Sequence, residues 1–206
     1  MTTPASIVPG APTPPDPLET ALRRFGPALH RPQLGDGDVS YTLHDSAVGR
    51  LLLAVRADGA VVVCRYVADQ ETVPALLQRV SDAVSARVLA SNRPVDGLRS
   101  QLDEYLAGRR RTFDLVVEPV LATPFARTVL TALPAAAGYG ERTSYGRLAT
   151  AAGRPGAARA IGGALNANPL CLLLPCHRVV GSNGALTGYA GGLAAKEHLL
   201  ELEQGR

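Results

Sequence analysis

The sequence predicts an α+β domain followed by a mostly helical domain. β-branched runs that alternate with period two occupy residues 39–67, two helical windows follow them, and the second half is rich in Ala, Gly and turn signals. Strands that precede helices in this way favour an α+β arrangement. We therefore divide the 206-residue chain into a leader at 1–37, an α+β domain at 38–119 and a second domain at 120–206.

Proline dominates the leader. Half of the 16 prolines lie before residue 33, and proline fixes φ and lacks the amide hydrogen that regular structure needs. We expect this segment to be disordered, with Leu18–Gly26 as its one candidate helix. The first ten residues lack the basic start and apolar run of a signal peptide, and no stretch of about 18 apolar residues occurs. The expected location is therefore the cytoplasm, with nucleoid association if the source is prokaryotic.

The α+β domain begins with three predicted strands. The runs VSYTLHDS, GRLLLAVRADG and AVVVCRYV start at Val39, Gly49 and Ala60, and the hairpin turn signal is Ala57–Gly59. They predict a three-stranded antiparallel sheet. Helices are expected next at 73–89 and 95–107.

A last short strand is expected at Thr112–Glu118, where it completes the α+β domain. The second domain then opens with apolar residues at helical spacing over Phe125–Leu133. Pro134 and the turn Gly138–Gly140 are expected to end that helix.

Two short helices with a tight connection follow. Ser144 is a suitable N-cap for a helix over Tyr145–Ala152, and the turn Gly153–Gly156 leads into a helix over Ala157–Leu165. Two short helices that are joined by a Gly/Pro turn predict a helix-turn-helix.

The charge of the chain is unevenly distributed. Residues 1–110 carry 12 basic and 12 acidic side chains. Residues 121–196 carry seven basic side chains and one acidic side chain, that of Glu141, which gives a net charge of +6. The basic residues there are Arg127, Arg142, Arg147, Arg154, Arg159, Arg178 and Lys196. This asymmetry is typical of a half that binds a polyanion, although a solvated basic surface has the same signature.

The second helix of the predicted helix-turn-helix has an unusually smooth surface. Most positions of AARAIGGALNAN are Ala or Gly, and Arg159 is its one long charged side chain. Such a helix suits close approach to a minor groove with one arginine inserted, but it equally suits close helix–helix packing. The residues alone leave both interpretations open.

Three cysteines are too few and wrongly spaced for a disulfide framework or a four-ligand zinc site. Cys64 in an apolar strand and Cys171 between leucines are most simply packing residues. Cys176 is different, because it follows Pro175 where the chain must turn and is adjacent to a histidine. A nearby imidazolium or guanidinium favours the reactive thiolate, so Cys176 is a candidate nucleophile, with inert burial as the alternative.

The string PCHRV at 175–179 occurs together with SYGRLA, AARAIGGALNANP and GYAGGLAAKEHLLELE. In this combination the chain closely resembles the O6-alkylguanine-DNA alkyltransferases over Thr123–Glu203. The resemblance implies an RNase H-like first domain. It also implies a winged-helix-like second domain whose helix-turn-helix accompanies the active site.

The resemblance also implies a single-turnover repair reaction. Cys176 would attack the alkyl carbon on O6 of guanine in duplex DNA and keep the alkyl group as a thioether. Glu203, His177 and a water would deprotonate the thiol. Tyr145 would supply a proton to the leaving guanine, and Asn168 would brace the active-site turn.

The same resemblance assigns the DNA-binding and pocket residues. Arg159 would fill the space left by the flipped nucleotide during minor-groove binding. The other expected DNA contacts are Ala158, Gly162, Tyr145 and Arg178, and the expected pocket residues are Pro175, Val179, Tyr189 and Ala190. The implied partner is double-stranded DNA that contains O6-alkylguanine. No cofactor, metal or membrane is implied, and we expect a monomer. Activity on O4-alkylthymine and cooperative assembly on DNA stay open.

The chain departs from the common family pattern at Ala126, Leu130 and Cys171. The first two are expected to alter packing, and Cys171 is expected to alter the wall beside the acceptor. One alternative function is a non-enzymatic protein that binds alkylated DNA, against which Cys176 argues. Another is a Cys–His hydrolase, which is disfavoured because adjacent residues rarely bring their side chains together.

Overall fold

A four-stranded sheet is the centre of residues 38–119, here called the first segment. β1 (Val39–Ser46), β2 (Gly49–Arg56) and β3 (Val61–Tyr66) are antiparallel neighbours, and β4 (Val88–Ala90) pairs in parallel with β1 to give the order β3-β2-β1-β4. The computed structural model describes residues 37–67 and 72–205. It confirms the antiparallel meander and adds a fourth strand. The predictions for the leader, including its helix, lie outside the described residues.

The two faces of the sheet bury different partners. Side chains alternate along a strand, so that Leu51 and Leu53 of β2 join one hydrophobic core while Leu52 and Ala54 join another. Helix α1 (Thr72–Ala83) contributes to the second core. The first core contains α2 (Asp96–Leu106) and the helices of the second half, so this is the face that carries the site.

Two predictions for the first segment need correction. The helix expected at 73–89 is confirmed up to Ala83, but its last residues are not helical, because Val88–Ala90 forms β4 against β1. The strand expected at Thr112–Glu118 makes only an isolated bridge between Val117 and Val61. Backbone groups in that segment bond to side chains instead, as where the amide of Asp114 donates to Gln101 Oε1 at 2.8 Å.

The second half, residues 120–205, contains four α-helices: α3 (Pro124–Ala136), α4 (Tyr145–Ala151), α5 (Ala158–Asn166) and α6 (Gly192–Glu203). Three of them confirm predicted helices to within three residues. Pro134 does not end α3: it lies inside the helix, is exposed, and two more helical residues follow it.

A pair of two-residue strands connects α4 with the segment that contains Cys176. β5 (Thr143–Ser144) pairs in parallel with β6 (Val179–Val180). Ser144 Oγ accepts a hydrogen bond from the Arg147 amide at 3.2 Å, which confirms the predicted N-cap. The start of α4 is thereby held beside the Cys176 turn.

The sheet of the first segment contacts the second half through β3. The Cys64 amide donates to the Pro169 carbonyl at 2.8 Å, and the first hydrophobic core contains residues of both segments. The boundary at 119/120 stays a prediction. No helix in the described ranges combines the length and apolarity that a membrane span requires.

Candidate active site

Cys176 lies at the start of a 3₁₀ turn, Cys176–Arg178, that follows a buried apolar run. Leu172 in that run has φ of 71°, a left-handed conformation that costs a leucine free energy. The Leu174 amide donates to the Leu170 carbonyl at 2.8 Å, and the Cys176 amide donates to the Leu174 carbonyl at 2.8 Å. These bonds fix the backbone that presents the thiol.

Asn168 braces this turn with both ends of its side-chain amide. Its Nδ2 donates to the Leu174 carbonyl at 2.9 Å and to Cys176 Sγ at 3.2 Å, while its Oδ1 accepts from the Leu170 amide at 2.9 Å. Asn168 is fully buried, so each of these bonds is shielded from water. A donor aimed at the sulfur stabilises the thiolate over the thiol.

The three thiols differ in their electrostatics. The pKa of Cys176 is lowered by hydrogen bonding with Cys171, by the Asn168 amide and by the Lys196 ammonium, although burial opposes the change. Burial raises the pKa of Cys64, and hydrogen bonding to Cys176 together with burial raises the pKa of Cys171 well above its ordinary value. Cys176 is therefore the activated thiol among the three.

His177 and Glu203 form a buried pair next to this thiol. His177 Nε2 lies 2.8 Å from Glu203 Oε1, and neither side chain is exposed. Burial alone would raise the pKa of Glu203, but hydrogen bonds from His177 and Arg178 lower it to about 2. Burial lowers the pKa of His177, so its imidazole is neutral at pH 7. Its Nδ1 is buried and has no hydrogen-bond partner among the described residues.

Arg178, which the resemblance assigns to DNA binding, is buried in the structure. The residue is only 8% exposed, and its Nε and Nη2 donate to Glu203 at 2.9 to 3.1 Å. Its Nη1 donates to the Ala137 carbonyl at 3.0 Å. The guanidinium therefore binds the carboxylate of Glu203 and a backbone carbonyl inside the protein, and its expected contact with DNA stays a prediction.

Seven predicted site residues surround one cavity of about 420 Å³. The cavity is lined by Tyr145, Ala158, Arg159, Gly162, Leu165, Asn166, Cys176, Thr187, Gly188, Tyr189 and Ala190. Its size lies within the range of small-molecule sites. The acceptor thiol, the phenol of Tyr145 and the exposed Arg159 therefore share one opening.

Two predicted pocket residues lie elsewhere. Val179 is fully buried and belongs to β6, where it pairs with Thr143. Pro175 borders a different cavity, which it shares with Tyr139 and Arg178. Pro175 and Val179 hold the turn in place, whereas the lining comes from α4, α5 and the loop at 187–190.

Thr187 and Lys196 were not anticipated as parts of this site. Thr187 Oγ1 lies 2.8 Å from the hydroxyl of Tyr145, on the cavity wall. Lys196 is fully buried, and its Nζ donates to the Val179 carbonyl at 2.6 Å and to the Thr187 carbonyl at 3.0 Å. The signal for Lys196 was available, because it is the one lysine of the chain and directly follows two alanines.

Two residues of β3 also reach the site. Arg65 Nη1 donates to the Asn168 carbonyl at 3.1 Å, and Nη2 donates to the Asn166 carbonyl at 3.3 Å. The ring of Tyr66 packs edge-on against Tyr189 with centroids 5.4 Å apart, and the two hydroxyls are 3.3 Å apart. Sequence reasoning missed both residues, because the alternation of β3 gives no sign of a contact 100 residues away.

The basic stretch at residues 121–196 presents fewer exposed charges than its net charge predicts. Arg178 and Lys196 are buried, whereas the remaining five arginines are exposed. They are Arg127, Arg142, Arg147, Arg154 and Arg159. These five remain available to phosphates, and Arg159 alone among them lines the cavity.

Comparison with known proteins matches this site to one family. A family model described as the DNA binding domain of 6-O-methylguanine DNA methyltransferase matches residues 124–205. The methylated-DNA–protein-cysteine methyltransferase of Mycobacterium tuberculosis is 38% identical over 168 residues, which cover 82% of this chain and 94% of that protein. The protein of the same name from Salmonella typhimurium is 49% identical over 117 residues, 57% of this chain and 67% of that protein.

Solved structures agree with the sequence comparison. The crystal structure of M. tuberculosis O6-methylguanine methyltransferase superposes with a TM-score of 0.67 at 35% identity, covering 82% of this chain and 94% of that one. The crystal structure of M. tuberculosis OGT in complex with DNA superposes with a TM-score of 0.66 at 34% identity, covering 81% and 93%. The likeness therefore extends over both segments.

Proposed function

The chain belongs to the methylated-DNA–protein-cysteine methyltransferases, and on that premise we propose that it transfers the alkyl group from O6 of guanine in duplex DNA to Sγ of Cys176. The observation that carries this proposal is the position of one activated thiol on the wall of a base-sized cavity, adjacent to a buried His–Glu pair. Because a thioether is stable, each protein molecule reacts once.

The reaction begins with loss of the thiol proton from Cys176. His177 is suited to accept it, because its imidazole is neutral and its Nε2–H is engaged by Glu203, which leaves Nδ1 as the basic nitrogen. We place one bridging water between Nδ1 and Sγ, since Nδ1 is buried with no partner among the described residues. Glu203 then stabilises the imidazolium that forms.

The thiolate next displaces guanine from the alkyl carbon. The S–C bond forms as the C–O6 bond breaks, and the electron pair of that bond stays on guanine, which must take up a proton. The hydroxyl of Tyr145 lines the cavity and is held by Thr187, so Tyr145 is the proposed donor of that proton. Backbone amides near Ala190 would hydrogen-bond O6 as it regains carbonyl character.

DNA binding is assigned to the helix-turn-helix of α4 and α5, in a winged-helix-like second domain packed against an RNase H-like first domain. The small residues of α5, including Ala158 and Gly162 on the cavity wall, permit close approach to a minor groove. Arg159 is exposed at the cavity mouth, where its side chain would fill the gap left by the extruded nucleotide. A monomer provides every residue of this site.

Intact-mass spectrometry tests the proposal directly. After incubation with a duplex that contains O6-methylguanine, we expect the protein to gain the mass of one CH₂ on the peptide that contains Cys176, once per molecule. Cys176→Ala should bind the duplex without gaining mass. Cys64→Ala should still become methylated, because Cys64 is buried in β3. Repeated turnover, or methylation of Cys171 in place of Cys176, would contradict the mechanism.

A further inference from the structure

Tyr105 places a residue of the first segment inside the catalytic hydrogen-bond network. It lies on α2, is fully buried, and donates a hydrogen bond from its hydroxyl to Glu203 Oε1. The same hydroxyl is 3.4 Å from His177 Nε2. The proposed mechanism uses Glu203 and His177 but assigns nothing to this phenol.

The carboxylate of Glu203 is shared among several donors. Oε1 accepts hydrogen bonds from His177 Nε2 at 2.8 Å, from Arg178 at 2.9 and 3.1 Å, and from Tyr105. Oε2 accepts from Arg178 Nε at 2.9 Å and from the Gly140 amide at 3.0 Å. Tyr105 and His177 therefore compete for the electron density of the same oxygen.

The surroundings keep Tyr105 in the donor role. Burial and the charge of Glu203 raise the pKa of the phenol, so it stays protonated at neutral pH. Its ring is fixed by Phe113, with centroids 5.1 Å apart, and by Tyr139, with centroids 6.1 Å apart in an edge-on arrangement. This packing fixes the position of the ring and keeps its hydroxyl directed at Glu203.

We infer that Tyr105 is a positioning residue that tunes the basicity of His177 through Glu203. A hydrogen bond to Oε1 disperses the negative charge of the carboxylate, which weakens its attraction for the imidazolium. The charged groups that face His177 are Glu203, Arg178 and Lys196, and Tyr105 acts on the first of these. The inference rests on the proposed role of His177 as the base.

Tyr105→Phe isolates the hydroxyl, because the ring and its packing remain. Without this donor the negative charge of the Glu203 carboxylate is less dispersed and stabilises the imidazolium of His177 more strongly. The pKa of His177 should therefore rise. We expect the ascending limb of the pH profile for single-turnover methyl transfer to move upward by about half to one pH unit. On that limb the variant should react about three- to ten-fold more slowly than the wild type, while the plateau rate changes little.

A titration of His177 by NMR, without DNA, separates this inference from the proposed function. If the protein transfers no alkyl group but the His177 pKa still rises in Tyr105→Phe, the coupling holds and the proposed reaction fails. The matched control is Tyr139→Phe, because Tyr139 packs on Tyr105 but its hydroxyl has no hydrogen bond within the described residues. An unchanged His177 pKa in Tyr105→Phe, or an equal change in Tyr139→Phe, would overturn the inference.

Discussion

At the scale of single residues, hydrogen-bond partners rather than burial distinguish the reactive thiol. Cys64, Cys171 and Cys176 are all buried, and burial alone disfavours a thiolate in each case. Cys176 differs because a thiol, an amide and an ammonium all stabilise its charged form. Cys171, read from the sequence as a packing residue, is therefore part of the electrostatic environment of the acceptor.

This assignment makes Cys171→Ala a sharp test. Removing its thiol should raise the pKa of Cys176, because the largest stabilising contact of the thiolate is lost. We expect methyl transfer at pH 7 to slow by about three- to ten-fold and to recover at higher pH, as measured by single-turnover rates across pH. Cys171→Ser should retain most of the rate, since a hydroxyl also donates. Equal rates in all three proteins at pH 7 would show that Cys171 only fills space.

The residues that we propose for the reaction could be identified from the sequence, but the buried cations could not. Cys176, His177 and Glu203 stand at motif positions, and the structure pairs His177, the residue after Cys176, with Glu203. The family resemblance places Arg178 at the DNA. Its burial depends on Glu203 and on the Ala137 carbonyl, and neither partner can be inferred from the residues around Arg178.

At the scale of elements, α5 combines a smooth surface with one exposed arginine at the cavity mouth. Gly163 is exposed, and a Cβ there would meet no heavy atom within 4 Å. Its lack of a side chain is therefore not demanded by packing inside the protein, which favours the DNA interpretation over close helix packing at this position. Ile161, Ala164 and Leu165 form the buried side of the helix.

Arg159→Ala should separate extrusion of the nucleotide from chemistry at the thiol. Unstacking a base costs a few kcal/mol, so loss of the inserted side chain should slow reaction with a modified duplex by about ten-fold or more. Reaction of Cys176 with free O6-methylguanine should be nearly unchanged, because no hydrogen bond within the described residues joins Arg159 to Cys176, His177 or Glu203. Both rates can be measured by mass spectrometry. Arg127→Ala is the control, since this exposed arginine lies outside the cavity lining. Equal losses on duplex and free base would contradict the role.

Secondary structure was predictable where one pattern dominates and failed where tertiary pairing decides. The helices α3, α4 and α5 follow from apolar spacing and caps, as at Ser144. The helix predicted at 73–89 ends at Ala83, and Val88–Ala90 is extended because the edge of β1 offers a partner. A strand of three residues carries too little periodicity to predict.

At the scale of the whole molecule, the two halves of the chain meet at the active site. Arg65 and Tyr66 of β3 hold the backbone near Asn168 and the ring of Tyr189, and Tyr105 of α2 holds Glu203. A Cβ on Gly191 would lie 2.6 Å from the Tyr66 ring, so this glycine permits the approach. The first segment thus contributes side chains to the site, which the sequence could not show because the partners lie about 100 residues apart.

The buried His177–Glu203 pair also predicts how the whole fold responds to acid. Because burial lowers the pKa of His177 below 6.5, the unfolded chain binds a proton that the folded protein excludes. Glu203 has a pKa of about 2 in the folded protein and of 4.5 in the unfolded chain, so here too the unfolded chain binds a proton that the folded protein excludes. Stability should therefore be complete above about pH 6.5, fall below that value through His177, and fall again between pH 4.5 and 2 through Glu203.

Thermal unfolding midpoints measured from pH 7.5 to pH 5 test the first of these two steps. We expect the midpoint to decrease by about 2–5 °C for each pH unit below 6.5. One proton of linkage is worth about 1.4 kcal/mol per pH unit, and in a domain of this size each kcal/mol changes the midpoint by a few degrees. His177→Gln keeps a donor toward Glu203 but cannot titrate, so its midpoint should depend less on pH across this interval. The control is His198→Gln, which replaces an exposed histidine on the same helix as Glu203 and should retain the wild-type slope. If His177→Gln and the wild type lose stability in parallel, then His177 has the same pKa in the folded and the unfolded protein, and burial does not lower it.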